Sequence, residues 1–196
     1  MVCPGRAVEG MRHGIADKKR PGSIMINTQK SLLDKRLREH AKKQPEIVKL
    51  KKLLLSIAGK HLVAPEMGNR VYDNDVPRLI ESGFIMDYPV TERIMEPNAC
   101  HLNSAVLLAT DKATGMCTGY ALTDEDGLWR QHSWALRRQK DGTNRIIETT
   151  CERQLYFGLM YWGIFGKMMA VEEMRFNGVA PPESLACFLT ALRTAA

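Results

Sequence analysis

The sequence predicts an α+β domain in which one helix packs on an antiparallel sheet, with helical extensions before and after this core. A helical pattern in the middle of the chain is followed by three strand-like runs in succession, and turn-forming sequences separate these runs. This order is typical of an α+β fold rather than of alternating β-α-β units. The length of 196 residues suits one domain with an extension.

The N-terminal part of the chain divides into two predicted pieces. Residues 1–26 are rich in glycine and have little apolar periodicity, which predicts a flexible basic segment. Residues 27–60 are predicted to form a basic helical arm, with one helix over 28–44 and a second helix that Pro45 opens. The second helix carries an apolar stripe and ends at Gly59.

Residues 61–196 are predicted to form the main domain. Prolines and glycines mark a connecting region, with a short helix near Val76–Ser82 and an extended piece at 84–86. Asn98 then stands in the N-cap position of a new helix, because an Asx side chain can accept a hydrogen bond from the first turn. We expect Gly115 to end this helix.

Three strand-like runs follow, and the sequences DEDG and QKDGTN between them are typical of turns. The runs cover residues 116–122, 128–136 and 145–150. The remaining chain is predicted to be mainly helical, with one helix over 151–161, a Met-rich stretch, and a final helix that the proline pair at 181–182 introduces.

The positive charge of the chain is unevenly distributed. Residues 1–60 contain 15 Lys and Arg against 5 Asp and Glu, a net of +10, whereas residues 61–196 contain 13 against 17, a net of −4. A basic arm can contact nucleic acid or an anionic membrane surface. Aromatic residues are not interleaved with the basic residues of this arm, which favours a solvated surface over a binding surface. We therefore predict at most a weak contact between the arm and a polyanion.

The sequence favours a cytoplasmic protein without a transmembrane segment. Its long uncharged runs, such as residues 154–166, are shorter than the roughly 20 apolar residues that span a bilayer. The N-terminus lacks the apolar region of a secretory signal. The five cysteines are odd in number and widely spaced, which is typical of reduced thiols rather than of a disulfide framework.

Cys100 is the candidate nucleophile. If Asn98 caps the helix, Cys100 lies in the first helical turn, where unpaired N–H groups and the positive end of the helix dipole stabilise a thiolate. This environment lowers the pKa of a thiol from about 8.5. The same N–H groups can bind the oxyanion that forms when a thiolate attacks an amide carbonyl.

His132 and Glu148 complete a candidate triad. Side chains alternate along a strand, so His132 shares a face with Arg130 and Trp134 in the second run. Glu148 lies in the third run, and neighbouring strands are only about 4.8 Å apart. The carboxylate of Glu148 is therefore predicted to hydrogen-bond the imidazole of His132 and to fix its tautomer.

Three further residues are candidates for substrate binding. Asn103 lies one turn after Cys100, and it is either a site residue or a solvated helix position. Trp129 and Trp134 are core aromatics or walls of a substrate slot. No metal site is predicted, because His101 and the nearby cysteines do not form a CxxC, HxxxH or comparable ligand pair. No cofactor is predicted either.

The segments NACHLNSAVLLA, CTGYAL, WRQHSWAL and RIIETT together resemble the core of the transglutaminase-like, papain-like cysteine enzymes. The resemblance covers residues 97–151 and would make residues 61–196 a cysteine-enzyme domain. It implies that Cys100, His132 and Glu148 are the catalytic residues, with Glu148 in place of the Asp that is usual in this superfamily.

The resemblance implies a thiol-dependent amide hydrolase or acyltransferase that forms a Cys acyl-enzyme with a peptide or protein amide. A cysteine peptidase, a deamidase and a transglutaminase all remain open, because a triad does not define the second acceptor. Hydrolysis is the simplest of these reactions, since water needs no second binding site. The alternative is a non-catalytic module of the same fold that uses the basic arm to bind nucleic acid, membrane or a protein.

Overall fold

The structure is a computed structural model of the chain, and it describes residues 23–65 and 75–194. Nearly all of the predicted segment 1–26 lies outside these residues. The described chain contains six helices and a seven-stranded sheet, which confirms the α+β class. The helices are α1 (Ser23–Ala41), α2 (Glu46–Ile57), α3 (Val76–Ser82), α4 (Cys100–Ala109), α5 (Gly163–Phe176) and α6 (Glu183–Thr194). The strands are β1 (His61–Leu62), β2 (Phe84–Ile85), β3 (Val90–Glu92), β4 (Gly115–Leu122), β5 (Leu128–Arg138), β6 (Asn144–Glu148) and β7 (Leu155–Trp162).

The sheet is mixed rather than purely antiparallel, which corrects the prediction. Its order is β2-β7-β4-β5-β6-β3, and β1 also pairs with β5. The four pairs β2–β7, β7–β4, β4–β5 and β5–β6 are antiparallel. The pairs β1–β5 and β3–β6 are parallel. Both parallel strands are short and come from the connecting region, where the sequence shows little alternation.

One edge of β5 changes partner along its length. Residues 128–129 pair with β1, and residues 135–138 pair with β6. Between them, residues 130–134 have no strand partner on that edge among the described residues, although β4 covers the other edge throughout. We call this stretch the β5 gap. It lies in the part of β5 that carries His132.

Strand β7 shows that the helix predicted over 151–161 is wrong. The segment LYFGLMYW is rich in aromatic residues, which favour strands, and β7 pairs with β4 along its whole length. Gly158 is required by this close pairing, since a Cβ there would lie 2.5 Å from the carbonyl oxygen of Thr118. The final helix after the proline pair is confirmed as α6.

The predicted N-cap at Asn98 is also wrong. Ala99 is the N-cap of α4 and makes no side-chain capping bond, while Asn98 adopts a left-handed φ of 58° that asparagine tolerates well. The helix ends at Ala109, before Gly115, which begins β4. The prediction that Cys100 lies in the first turn is confirmed, because Cys100 is the first residue of α4.

The helices pack on one face of the central strands in two groups. At one end, the apolar stripe of α2 packs with Leu37 of α1, Tyr120 and Trp129. At the other end, α4, α5 and α6 pack around Met116. The alternate residues of β4 and β5 form a separate cluster that includes Cys117, Trp134 and Tyr156. In the chain described here, no helix is both long enough and apolar enough to cross a membrane.

Candidate active site

Cys100 lies where α4 begins, beside the β5 gap. The first hydrogen bond of this helix runs from the N–H of Asn103 to the carbonyl oxygen of Ala99, at 2.8 Å. The N–H of Cys100 therefore has no acceptor inside the helix. The residue is partly exposed to solvent, and its thiol lies within hydrogen-bonding reach of the His132 side chain and of the backbone N–H of Ser133. The sulfur thus meets an imidazole and one backbone donor, and the N–H of Cys100 has no acceptor inside the helix.

His132 binds Glu148 in the interior of the domain. The Nε2 atom of His132 lies 2.8 Å from Oε2 of Glu148, and the two residues are 1% and 0% exposed. Because a carboxylate only accepts hydrogen bonds, Nε2 carries a proton. The other ring nitrogen, Nδ1, is left to meet the thiol of Cys100. The structure therefore brings together the three residues that the sequence nominated for catalysis.

Five donors hold the carboxylate of Glu148. Oε1 accepts from the N–H of Thr149 at 2.8 Å, and from the N–H and Oγ1 of Thr150 at 2.9 and 3.0 Å. Oε2 accepts from His132 and from the hydroxyl of Tyr156, the latter at 3.0 Å. Burial raises the pKa of Glu148, but the hydrogen bond and charge of His132 outweigh it and lower this pKa to about 2. The carboxylate is consequently fixed in its ionised form.

The same network favours an ion pair between Cys100 and His132. Burial lowers the pKa of His132, but hydrogen bonds to Cys100 and Glu148 outweigh it and raise the pKa to about 9. Burial raises the pKa of the Cys100 thiol, whereas the hydrogen bond and charge of His132 lower it, and the net shift is downward. Both shifts stabilise the thiolate and the imidazolium together.

Trp134 and Tyr156 support the imidazole from within the core. The ring centroid of His132 lies 6.1 Å from that of Trp134 and 6.5 Å from that of Tyr156. Trp134 is completely buried, so it contacts His132 without lining an open slot. Gly158 makes room for the indole, because a Cβ at this glycine would lie 2.7 Å from the Trp134 ring.

The other two predicted binding residues have bonds that anchor the fold. The Nδ2 atom of Asn103 donates to the carbonyl oxygen of Glu96 at 2.7 Å, which ties the loop before Cys100 to α4. Trp129 is completely buried, and its Nε1 donates to the carbonyl oxygen of Ala58 at 2.8 Å. Its side chain belongs to the cluster with α2, on the opposite face of β5 from His132. The structure does not bring Trp129 to the triad.

Two contacts near the site were missed by the sequence analysis. Tyr156 falls in the segment predicted as a helix, although the aromatic-rich run LYFGLMYW favours a strand. No sequence pattern pointed to Ser133, whose hydroxyl lies 2.7 Å from Nδ1 of His101. This bond fastens the first turn of α4 to β5 beside Cys100.

The remaining described cysteines have different environments. Cys117 is fully buried, and burial raises the pKa of its thiol well above the ordinary value. Cys151 and Cys187 are exposed. Among residues 23–65 and 75–194, no group of three or more His, Cys, Asp and Glu side chains is arranged to hold a metal ion.

Comparisons with known proteins do not assign the chain to a family. No protein-family model matches it, and neither the curated proteins nor the solved structures give a significant match.

Proposed function

We propose that the protein is a thiol-dependent amide hydrolase or acyltransferase that acts through a Cys100 acyl-enzyme. The observation that carries this proposal is the chain of contacts from the Cys100 thiol through His132 to the buried carboxylate of Glu148. A nucleophile, a base and a group that orients the base are the components that covalent amide chemistry requires. The resemblance of residues 97–151 to transglutaminase-like, papain-like enzymes supports the same proposal.

In the first half of the proposed reaction, the Cys100 thiolate attacks the carbonyl carbon of a carboxamide. The carbonyl oxygen becomes an oxyanion, and the N–H groups at the start of α4 are suitable donors for it. His132, as the imidazolium, then gives its proton to the departing nitrogen, and the C–N bond breaks. The products are an amine or ammonia and a thioester between the substrate acyl group and Cys100.

In the second half, the acyl group passes from the Cys100 thioester to an acceptor. Water is the acceptor in a peptidase or deamidase, and an amine is the acceptor in a transglutaminase. The neutral imidazole of His132 takes a proton from the acceptor as it attacks, the C–S bond breaks, and the thiolate is restored. Glu148 remains ionised throughout and holds the Nε2 proton of His132, so it acts as a positioning residue.

Selective alkylation is the direct test of this proposal. The protein is treated with iodoacetamide at pH 6.5, and each cysteine is quantified by mass spectrometry over time, with glutathione as the reference thiol. We expect Cys100 to react faster than glutathione and faster than the other cysteines, because its pKa is lowered beside His132. Alkylation of Cys100 no faster than that of glutathione would refute the nucleophile and favour the non-catalytic binding module.

The type of reaction is tested with two generic probes. Fluorescein-labelled casein reports peptide-bond cleavage, and ammonia release from a glutamine-containing peptide reports deamidation. Repetition of the second assay with a primary amine present reports transamidation. Each activity should disappear in Cys100→Ala and after alkylation. An activity that persists in both cases would come from a different site.

A further inference from the structure

A basic cleft lies on the same side of the sheet as α4. Its volume is about 730 Å3, and it is formed by β3, the β5–β6 hairpin and the turn after α4. Six cationic side chains line it, together with one carboxylate. The cations are Arg93, Lys112, Arg137, Arg138, Lys140 and Arg145. We call this feature the basic cleft; it belongs to the part of the chain whose overall charge is negative.

The cations of the basic cleft are available for a ligand. All six side chains are exposed, and among the described residues none of them forms a salt bridge. Arg145 donates one hydrogen bond from Nη1 to Oγ1 of Thr91, at 3.3 Å, which leaves its other N–H groups for a ligand. The one carboxylate, that of Asp141, already accepts hydrogen bonds from the N–H and Oγ1 of Thr143, at 2.9 and 2.7 Å. Clustered like charges repel one another, so an anionic ligand would relieve the repulsion.

Two features of the basic cleft favour an extended acidic peptide over a nucleic acid. In the described part of the chain no aromatic residue lines the cleft, so these residues offer no stacking platform of the kind that single-strand binders use. Its wall includes Thr91 and Arg93. Among residues 23–65 and 75–194, β3 is the last strand of the sheet order and no strand pairs with its outer edge, so this edge could take the backbone of an added strand. Val90 and Ile94 are 41% and 61% exposed beside this edge and offer apolar contacts.

The basic cleft is connected to the proposed active site. The N–H of Arg93 donates to the carbonyl oxygen of Glu148 at 2.8 Å, and Glu92 is in register with Glu148. Arg145 lies three residues before Glu148 on β6, which corresponds to about 10 Å along a strand. A peptide on the edge of β3 would therefore have its charged residues in the cleft while a residue three or more positions away approached Cys100.

We infer that the basic cleft is an exosite for an acidic, extended segment of the protein substrate. This inference rests on the proposed function, because it assigns a substrate class to the same active site. A guanidinium group can bind one carboxylate through two parallel N–H···O hydrogen bonds, and four of the six cations are arginines. The exosite selects proteins in which Asp or Glu residues lie at least three positions from the amide that is attacked.

Binding is measured by fluorescence anisotropy with the full-length Cys100→Ala protein, so that no turnover occurs. The probes are a labelled (Glu-Gly)5 peptide, the matched (Gln-Gly)5 peptide and a labelled 12-base-pair DNA duplex, each at 50 and 300 mM NaCl. The cleft variant combines Arg93→Gln, Arg137→Gln and Arg145→Gln. The control variant combines Lys35→Gln, Arg36→Gln and Arg38→Gln, which removes three exposed charges from α1.

We expect the cleft variant to bind (Glu-Gly)5 at least tenfold more weakly, whereas the control variant changes binding less than twofold. Binding should weaken at the higher salt concentration. Equal losses in the two variants, equal binding of the Gln peptide, or stronger binding of the DNA duplex would each overturn the exosite. If the triple variant does not fold, the single variant Arg137→Gln serves instead, with an expected loss of two- to threefold.

A second readout separates the exosite from the proposed enzyme. With Cys100 intact, the cleft variant should alkylate at the same rate as the wild-type protein, since none of its three changes touches the thiol. Selective alkylation without discrimination between the Glu and Gln peptides would refute the exosite alone. Binding of the Glu peptide at the cleft without selective alkylation would refute the enzyme and leave an acidic-peptide binding site.

Discussion

Two histidine–carboxylate pairs in this protein have almost the same distance between the ring nitrogen and the carboxylate oxygen, but their surroundings differ. His132 lies 2.8 Å from Glu148, and His61 lies 2.7 Å from Asp34. Glu148 is completely buried, whereas the side chain of Asp34 is 35% exposed. The length of the bond therefore does not distinguish a candidate active site from a structural contact.

The neighbours of each pair make the distinction. The Nε2 atom of His61 lies 3.1 Å from Nζ of Lys51, and its Nδ1 lies 2.7 Å from the carbonyl oxygen of Leu62. Both ring nitrogens are thus occupied by groups of the fold, which join α1 and α2 to β1. At His132, by contrast, one nitrogen meets the Cys100 thiol at a helix N-terminus. An imidazole can act as a general base only when a nucleophile lies within hydrogen-bonding reach of it.

The largest effect should come from removal of the nucleophile. Cys100→Ala is expected to abolish selective iodoacetamide labelling and any turnover of the generic probes. Its melting temperature should stay within a few degrees of the wild-type value, because the side chain is only half-buried and alanine suits the first turn of a helix. The matched control is Cys187→Ala at an exposed site, which should keep full labelling of Cys100. Retained turnover in Cys100→Ala would show that the His132–Glu148 pair does not serve a Cys100 nucleophile and that neither pair marks the active site.

Glu148→Gln should impair both reactivity and stability. The amide would place an N–H2 group against donors such as Nε2 of His132 and the hydroxyl of Tyr156. We expect the free energy of unfolding in urea to fall by about 2–4 kcal/mol. The alkylation rate of Cys100 at pH 6.5 should fall about tenfold, because the His132 imidazolium loses its anion. The exposed Glu152→Gln is the control and should change neither quantity.

Glu148→Asp tests whether the length of the side chain matters in addition to its negative charge. The shorter side chain keeps the negative charge, but it is not long enough to bind Thr150 and His132 at the same time. We expect the alkylation rate to fall less than in Glu148→Gln, with a measurable loss of stability. An aspartate variant that alkylates at the wild-type rate would show that the charge alone suffices.

The pH dependence of stability should carry the signature of the buried pair. The pKa of Glu148 is lowered from 4.5 to about 2, so its contribution is complete above pH 4.5 and is lost as the pH falls towards 2. The pKa of His132 is raised from 6.5 to about 9, so its contribution is complete below pH 6.5 and is lost as the pH rises through 9. The difference in unfolding free energy between wild type and Glu148→Gln should therefore be larger at pH 5.5 than at pH 9.5.

Asp34→Asn should give the smallest effect. The hydrogen bond of His61 is the main reason why the pKa of Asp34 is lowered, but solvent screens the exposed carboxylate. We expect a loss of less than about 1 kcal/mol in the free energy of unfolding and an unchanged alkylation rate of Cys100. A slower alkylation would mean that this pair also contributes to the site and would remove the distinction between the two.

Local patterns in the sequence predicted much of this arrangement. Strand alternation placed His132 on the same face as Trp134, and the helix pattern placed Cys100 in a first turn. The pairing of β3 with β6 and of β1 with β5 could not be predicted, because two- and three-residue strands have no measurable periodicity. The burial of Trp129 depends on α2, which lies about 70 residues away in sequence and reaches the indole through Ala58.

The order of the sheet also determines when the thiol can become reactive during synthesis. Strand β4 lies between β5 and β7, and β7 carries the Tyr156 hydroxyl that holds Glu148. A ribosome makes Cys100 more than fifty residues before it makes Tyr156. Domains fold as units once their strands have emerged, so a nascent chain that ends before β7 should display a thiol of ordinary reactivity. The polypeptide would acquire its nucleophile only after β7 has been made.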